Sequence, residues 1–418
     1  MTINNEHKKL NVPNLRFPEF QGEWKESTIG EMFDLYSGNT PSRLNKEHFK
    51  GTVNWISSGE LKEHYIYSSK EQISEEAAKS LKLLPVGTFV IAIYGLEADG
   101  VRGTGSITQE PSTISQACMS FIPKGVIENE FLYSWYKKHG NVIGIRYAQG
   151  TKQQNLSYDI LEKFRIAYPN TKEQEKLNKF ISLLDERIAT QNKIIEDLKK
   201  LKSAIIEKVF CSPNQKNPMC RIEGFEQALS TYKMSDFSSR IATKNKDSKC
   251  SLVLTIAAQY GLVNQESFFN KSVASENLTG YYLLHKGEFA YNRSYSAGYD
   301  WGAVKRLDNY DEGVLSTLYI CFKINETIVD SDYLTYYFES TKWHRGLSDI
   351  AGEGARNHGL LNVSITDYFN TKHRFPVIEE QKAIAKMLNT ITEKERKATL
   401  LGECYQKQKQ YLLRQMFI

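Results

Sequence analysis

The chain lacks the features that mark several protein classes. Its six cysteines, at positions 118, 211, 220, 250, 321 and 404, form no C-x-x-C pair, so neither a zinc site nor a disulfide framework is indicated. No apolar run approaches the roughly 18 residues of a membrane span. Residues 1–14 are polar and lack the apolar core of a secretory signal. The sequence therefore predicts a cytoplasmic protein that does not cross a membrane.

Motifs of catalysis and of cofactor binding are also missing. There is no G-x-x-x-x-G-K-[ST] phosphate loop, no G-x-S-x-G elbow and no H-E-x-x-H among the eight dispersed histidines. Residues 217–220 read Asn-Pro-Met-Cys, which fails at the third position of the Asn-Pro-Pro-Phe tetrapeptide expected of a DNA adenine methyltransferase. The acidic pairs Glu173/Glu175 and Glu196/Asp197 are interpreted as solvated helix faces. We therefore predict no catalytic residue, no metal ligand and no bound cofactor in this chain.

The composition is that of an ordinary globular protein with well-filled cores. The 418 residues are 40% hydrophobic and 25% charged. At about 150 residues per domain, this length predicts two or three domains. The formal charge of +5 permits nucleic-acid binding without requiring it. Charge alone therefore does not decide the function.

An internal repeat is the most informative feature of the sequence. Residues 155–157 (Asn-Leu-Ser), Pro169 and 173–174 (Glu-Gln) recur without a gap, at an offset of 207, as Asn-Val-Ser at 362–364, Pro376 and Glu-Gln at 380–381. Upstream the likeness is thinner, and it includes residues 16–20 against 221–225. Such self-similarity predicts two copies of one structural unit.

Each repeat ends in a long predicted helix. Residues 172–211 contain neither proline nor glycine, and residues 377–418 contain only Gly402, so nothing forces a break. Thr171 followed by Gln174 fits a capping box at the start of the first helix. Apolar residues at three- and four-residue steps predict a packing face on each helix. These residues are Leu177, Ile181, Leu184, Ile188, Leu198, Ile205, Ile384, Leu388, Ile391, Leu401, Tyr405 and Leu412.

A helix of this length needs a partner. About 37 residues at 1.5 Å each give roughly 55 Å, which is too long for a polar-faced helix to stand alone in water. We expect the two helices to pack on each other as an antiparallel coiled coil. The alternative that the sequence leaves open is that each helix folds back on its own domain.

The regions before the helices have the chemistry of short strands. Runs such as 87–94, 252–256 and 318–322 are rich in β-branched and aromatic residues, and Gly, Asn, Ser and Asp separate them. The predicted fold class is α+β, with two mixed domains joined by the long helices. The predicted organisation is a tail (1–14), a first domain (15–170), a first helix (171–211), a linker (212–220), a second domain (221–376) and a second helix (377–418).

Loops in both domains interleave basic, amide and aromatic residues. Arg and Lys can bond guanine edges, Asn and Gln can bond adenine edges, and all four can hold phosphates. The candidates in the first domain are Asn39, Thr40, Ser42, Arg43, Tyr94, Arg102, Lys152, Gln153 and Gln154. The candidates in the second domain are Arg293, Tyr295, Tyr299, Trp301, Arg356, Asn357 and His358. Any one of them could equally belong to an ordinary surface loop.

The doubled pattern resembles the specificity subunit of type I restriction-modification enzymes. The resemblance lies in a variable domain followed by Asn-Leu-Ser or Asn-Val-Ser, a proline, Glu-Gln and a long helix, and it covers nearly the whole chain. Residues 37–43 (Ser-Gly-Asn-Thr-Pro-Ser-Arg), 55–57, 59–61 and 85–88 are similar to the opening of that family's target recognition domains. The second domain lacks the Thr-Pro-Ser-Arg stretch and has Ser-Ser-Arg-Ile at 238–241 in roughly that region.

The resemblance implies two target recognition domains, each reading one half of a bipartite site in double-stranded DNA, with the helices as a ruler between them. It also implies two adenine-N6 methyltransferase subunits and two ATP-driven restriction and translocation subunits as partners. S-adenosylmethionine, ATP and Mg would then belong to those partners, and this chain would be non-catalytic. Half-sites read from one face of B-DNA are centred about 10 base pairs apart.

Two alternatives from other classes stay open. A stand-alone DNA-modifying enzyme would bind S-adenosylmethionine or ATP by itself, although its motifs are missing. A purely structural coiled-coil scaffold would show no salt-sensitive affinity for DNA, since that dependence is the mark of phosphate contacts.

Overall fold

The computed structural model describes residues 11–98, 100–150, 154–271, 277–294, 298–350 and 361–418. The chain divides into two compact units, one comprising residues up to Asn192 together with Leu400–Ile418, and the other comprising Lys193–Thr399. Each unit combines one mixed α+β domain with parts of both long helices. No helix within the described ranges is long and apolar enough to cross a membrane.

The first domain consists of short strands and short helices that lead into a long helix. Its strands are β1 (Lys25–Thr28), β2 (Phe33–Ser37), β3 (Val53–Ile56), β4 (Tyr65–Ile66), β5 (Glu71–Ile73), β6 (Phe89–Ala92), β7 (Gly105–Thr108), β8 (Ser112–Ile114), β9 (Cys118–Pro123) and β10 (Arg165–Tyr168). Its helices are α1 (Ile29–Met32), α2 (Glu75–Lys79), α3 (Asn129–Tyr147) and α4 (Tyr158–Leu161), and the long helix α5 (Thr171–Val209) follows.

The second domain repeats this plan with the same number of strands among its described residues. Its strands are β11 (Ser230–Lys233), β12 (Ser238–Arg240), β13 (Leu254–Ala257), β14 (Gly261–Asn264), β15 (Tyr282–His285), β16 (Phe289–Asn292), β17 (Ala303–Arg306), β18 (Glu312–Leu315), β19 (Ile320–Ile324) and β20 (Lys372–Phe375). Its helices are α6 (Met234–Phe237), α7 (Gln265–Phe269), α8 (Ser331–Glu339), α9 (His344–Ser348) and α10 (Ile365–Asn370), and the long helix α11 (Ile378–Met416) follows.

Sheet topology confirms the internal repeat. The main sheet of the first domain has the order β2-β9-β6-β7-β4, and that of the second has the order β12-β19-β16-β17. The first strand pairs with the last strand in both domains, β1 with β10 and β11 with β20. The predicted α+β class with two copies of one unit is therefore confirmed.

The central strand of each main sheet forms the core. Strands β6 and β16 begin with Phe89 and Phe289, which are fully buried and lie beside Phe121 and Phe322 on the neighbouring strands. Runs buried on both faces cannot alternate apolar and polar residues, and β6 accordingly reads Phe-Val-Ile-Ala. Helices α3 and α8 cover these sheets over β7 and β17.

The long helices begin differently from the prediction. Asn170 caps α5, because its side-chain oxygen accepts the backbone N–H of Glu173 at 3.1 Å. The Thr171–Gln174 capping box is wrong, since the amide of Gln174 bonds to carbonyl groups elsewhere. Both helices contain 39 residues, a length of about 58 Å at 1.5 Å per residue.

The two helices contact each other within each unit. In the first unit, Lys409 bonds to Asp185, and the guanidinium of Arg187 lies 4.6 Å from the ring centre of Tyr405. In the second unit, Lys202 bonds to Glu395. As the residue number rises along α5, the number of the contacted residue on α11 falls, as in an antiparallel pair. Within each unit, the parts of both helices also pack on the domain of that unit. Packing of the helices on each other and packing on the domains, the two modes foreseen from the sequence, therefore occur together.

The face that packs follows strict four- and three-residue steps, the spacing of a coiled-coil seam. None of its members is exposed on either helix, and the two sets are related by the 207-residue offset. The set on α5 is Leu177, Ile181, Leu184, Ile188, Gln191, Ile195, Leu198, Lys202, Ile205 and Val209. The set on α11 is Ile384, Leu388, Ile391, Glu395, Ala398, Gly402, Tyr405, Lys409, Leu412 and Met416.

Leu401 corrects the predicted packing face. Its side chain is 43% exposed, whereas the neighbouring Gly402 is buried. The seam steps from Ala398 by four residues to Gly402, which turns Leu401 about 100° away from it. The other predicted packing residues are buried or partly buried.

Candidate nucleic-acid interface

The loop after β2 holds four of the predicted DNA-facing residues. Asn39 and Ser42 are exposed and Thr40 is partly buried. The backbone of Asn39 is fixed, because its N–H donates to the carbonyl of Ile114 at 3.1 Å and its carbonyl accepts from the indole N–H of Trp55 at 3.0 Å. These contacts anchor the start of the loop and leave its polar side chains at the surface.

Arg43, in the same loop, is held by the protein itself. Its guanidinium donates to both carboxylate oxygens of Glu71, at 2.6 and 2.7 Å, and lies 4.0 Å from the ring centre of Phe49. The hydrogen bond from Arg43 lowers the pKa of the Glu71 carboxyl. A guanidinium group that is hydrogen-bonded to a carboxylate through two nitrogens and stacked on an aromatic ring has a fixed position and acts as a brace between the segments it joins. Arg43 thus fastens the loop to β5.

Tyr94, Arg102 and Gln154 come together beyond the end of β6. Arg102 donates from Nη2 to the side-chain oxygen of Gln154 at 2.9 Å, and its buried Nε has no partner among the described residues. The backbone N–H of Gln154 donates to Glu97 at 2.8 Å, and this bond is the largest cause that lowers the pKa of Glu97. Tyr94 pairs through its backbone with Asn155. These contacts bring the loop after β6 next to residues 154–155.

The second domain places its candidates at the matching strand end. Arg293, just after β16, donates to the carbonyls of Val363 at 3.1 Å and Leu318 at 3.2 Å, and its buried Nε has no partner among the described residues. The carbonyl of Trp301 accepts the hydroxyl of Tyr291 at 2.9 Å. Burial, followed by the charge of Glu339, raises the pKa of Tyr299 to about 12. Trp301 and Tyr299 are thus partly built into the domain.

Six candidates lie outside the described residues. They are Lys152, Gln153, Tyr295, Arg356, Asn357 and His358. Their role stays a prediction.

The middle residue of the duplicated Asn-x-Ser motif contacts the chain just after the central strand in both domains. Leu156 donates its N–H to the carbonyl of Ile93, after β6, and the carbonyl of Val363 accepts from the guanidinium of Arg293, after β16. Leu156 and Val363, the middle residues of the two motifs, are each 1% exposed. The motif therefore lies against the end of the central strand in both domains.

Sequence reasoning missed a buried polar cluster at the start of α5. Glu173 is 1% exposed, and it accepts both Arg16 nitrogens at 2.7 Å and the indole N–H of Trp24 at 3.3 Å. Its hydrogen bond is the largest cause that raises the pKa of Arg16. The interpretation of Glu173 as a solvated residue is therefore wrong, because an arginine 157 positions away covers it.

Gln174 completes this cluster. Its side-chain oxygen accepts the backbone N–H of Glu128 at 3.0 Å, and its amide nitrogen donates to the carbonyls of Val126 and Pro169, each at 3.0 Å. Glu128 is the residue that precedes α3, where a helix N–H would otherwise be unpaired. One fully buried amide thus bonds three backbone groups of the first unit.

The second repeat contains the same construction. Glu380 accepts Arg221 at 3.0 and 2.5 Å. The side chain of Gln381 accepts the N–H of Asp330 at 2.9 Å and donates to the carbonyls of Ile328 and Pro376, at 3.1 and 2.9 Å. The recurrence of Arg16 with Glu173, and of Arg221 with Glu380, was the signal in the sequence that could have revealed it.

The first domain is similar in sequence to known DNA specificity domains. The family model of the type I restriction modification DNA specificity domain matches residues 21–200. The chain is 28% identical over 194 residues to the MjaIX specificity subunit of Methanocaldococcus jannaschii, covering 45% of this chain and 44% of the relative. It is 32% identical over 189 residues to the EcoR124I/EcoR124II specificity subunit of Escherichia coli, covering 44% and 45%. These alignments span less than half the length of the curated relatives.

Two solved structures share the fold over nearly the whole chain. The S subunit of a type I restriction-modification system from M. genitalium has a TM-score of 0.55 at 15% identity, covering 97% of this chain and 99% of that one. A chain from a structural study of type I restriction-modification complex assembly has a TM-score of 0.56 at 13% identity, covering 93% and 96%. The first domain is therefore similar to the type I restriction modification DNA specificity domain, and the chain shares the fold of these two structures over nearly its whole length.

Proposed function

We propose that this chain is the DNA sequence-recognition subunit of a type I restriction-modification complex, and that each domain reads one half of a bipartite site. The observation that carries the proposal is the match of residues 21–200 to a DNA specificity domain. The four strands of the second domain's main sheet follow the order of the first four in the first domain's sheet, and the buried Glu-Gln contacts recur. A repeated domain suits the reading of two half-sites.

The candidate reading surface is the loop cluster at the end of β6 and of β16. Arg102 and Arg293 lie there with partners for some of their nitrogens and with a buried Nε that has none among the described residues. Phosphate contacts position a protein on DNA, and contacts to base edges specify the sequence. We assign Asn39, Thr40 and Ser42 to direct contacts with DNA, and we assign Arg43 to bracing the loop that carries them.

The long helices are the proposed ruler and scaffold. The repetition of α5 as α11 suits equivalent docking surfaces on the exposed faces of the two helices for two methyltransferase subunits, with two restriction and translocation subunits joining them. We expect half-sites centred about 10 base pairs apart, one turn of B-DNA. S-adenosylmethionine, ATP and Mg would act on the partners, and this chain would be a non-catalytic component of the cytoplasm.

Two measurements test this proposal. Binding of the chain, assembled with its methyltransferase, to DNA should weaken steeply as salt rises, because counterions are released from contacted phosphates. Replacing residues 221–376 with the second recognition domain of another specificity subunit should change one half of the recognised sequence. A change in both halves would refute modular reading. An affinity for DNA that does not change with salt concentration would favour the purely structural scaffold.

A stand-alone enzyme makes a different prediction. The purified chain should then bind S-adenosylmethionine or ATP without any partner subunit. Calorimetric titration of each nucleotide into the chain tests this directly, with the assembled complex as the positive control. We expect no heat of binding from the chain alone.

A further inference from the structure

A histidine connects the first domain to helix α5. The ring of His64 is sandwiched between Tyr65 and Tyr133, with centroid distances of 4.1 and 3.9 Å. Its Nε2 lies 2.9 Å from a carboxylate oxygen of Glu130 on α3, and its Nδ1 lies 3.3 Å from a carboxylate oxygen of Asp185 on α5. The side chain is 12% exposed. Both ring nitrogens therefore face carboxylates.

This arrangement requires a charged ring. A neutral imidazole carries one N–H, so one of its nitrogens would present a lone pair to a carboxylate. The imidazolium carries an N–H on both nitrogens, so it donates to Glu130 and places a positive N–H beside Asp185. Only the protonated form therefore makes both contacts favourable.

Other charged and titratable groups surround the ring. Tyr65 donates its hydroxyl to Glu130 at 3.2 Å, and Lys409 of α11 bonds to Asp185. The ammonium of Lys137 lies 5.2 Å from the ring centre of Tyr133, and the charge of Glu63 also acts on Tyr133. Apart from His64, this cluster contains three carboxylates and two lysines.

In the second repeat an arginine holds the acidic residue at the matching helix start. Arg306 donates to Asp332 of α8 at 2.7 Å, and the other oxygen of Asp332 accepts from Asn389 of α11 at 2.7 Å. Asp332 and Glu130 are each the second residue of their helix. Arg306 stands opposite Phe289 as Ile107 stands opposite Phe89, and the N–H of Ile107 donates to the carbonyl of His64. In the first repeat a histidine faces carboxylates of both helices, whereas in the second an arginine holds Asp332, which Asn389 in turn joins to α11.

We infer that His64 is a positioning residue that holds the first domain on α5 while its ring is protonated, so that this attachment weakens as pH rises and that of the second domain does not. Arginine keeps its charge throughout the physiological range. Histidine changes its charge within it. The inference is independent of what either domain binds.

The direction of the pH dependence follows from the opposing effects on the pKa of His64. Burial, the largest single effect, lowers the pKa of His64, but the hydrogen bonds with Asp185 and Glu130 together outweigh it and raise the pKa above its usual value. The stabilisation is therefore complete below about pH 6.5 and is lost as pH rises through the raised pKa of the folded state. Burial and the charge of Lys409 lower the pKa of Lys137 to about 8. Lys137 thus acts in the opposite direction only above that pH.

Hydrogen exchange of the full chain at pH 6.0 and 7.5, corrected for the intrinsic exchange rate, tests the inference. Protection of residues 129–147 and 171–192 should fall severalfold between the two values, while that of 331–339 stays constant. His64→Arg should keep the protection at both values, and Arg306→His should give 331–339 a pH dependence of its own. His64→Gln should lose protection at both.

Two results would overturn it. One is wild-type protection of residues 129–147 that is the same at both pH values. The other is a fall of equal size in the His64→Arg chain. If that variant does not fold, NMR titration of the histidines in the wild-type chain, with the His64 signal identified from His64→Gln, still decides. A His64 that titrates below its usual value would contradict the inference.

Discussion

Replacing Gln174 with methionine should destabilise the first unit, because one side-chain replacement removes three hydrogen bonds. Methionine has nearly the same length and volume, but it cannot serve the N–H of Glu128 or the carbonyls of Val126 and Pro169, all bonded at 3.0 Å. At about 1 kcal/mol for each hydrogen bond, the loss is about 3 kcal/mol. For a unit of some 200 residues this lowers the melting temperature by roughly 6–12 °C.

The second repeat supplies a matched replicate. Gln381→Met removes three equivalent bonds from the second unit, so its loss should be about the same 3 kcal/mol. Gln406→Met, at an exposed position of α11, is the control and should change stability by less than about 0.5 kcal/mol. Calorimetric melting of the full chain measures all three. Shifts below 2 °C in both buried variants would refute the reasoning.

Three further predictions concern single side chains. Arg43→Ala should cost about 1 kcal/mol of stability, since it removes an exposed ion pair and a ring contact, and an unchanged urea midpoint would contradict the brace. Leu198→Pro, inside α5, should cost about 3 kcal/mol of helix stability and abolish co-purification with the methyltransferase while both domains stay folded, and normal assembly would refute the scaffold. Burial lowers the pKa of His373 to about 3, so the unfolded chain takes up the proton first, and stability of the second unit should fall below about pH 6.5 by up to 1.4 kcal/mol per pH unit. His373→Phe should remove that fall in urea titrations at pH 6.5 and 5, and equal acid sensitivity in the variant would exclude His373 as its cause.

Features set by local spacing could be read from the sequence. The 207-residue repeat, the two long helices and most of their packing face depend on periodicity within a few turns. Leu401 shows the limit of this reading. An apolar residue one place off the seam looks like a member of it, and only the burial of Gly402 reveals which residue faces inward.

Features set by distant partners could not be read in this way. Glu173 resembles any helix-surface glutamate until Arg16, 157 positions away, is placed beside it. Arg43 looked free to bind DNA, yet Glu71 and Phe49 hold it. Whether a side chain is free depends on neighbours that the fold brings near. Residue type and loop position therefore predict candidates, but they do not distinguish residues that can contact DNA from residues that hold the loop in place.

We propose that the chain reads a split DNA sequence for a methyltransferase. Single-molecule sequencing of adenine methylation tests this in DNA from cells that express the chain with its cognate methyltransferase. We expect one motif with two specified halves across an unread gap, modified on both strands. Unmodified DNA in cells where the complex is shown to be assembled would contradict it.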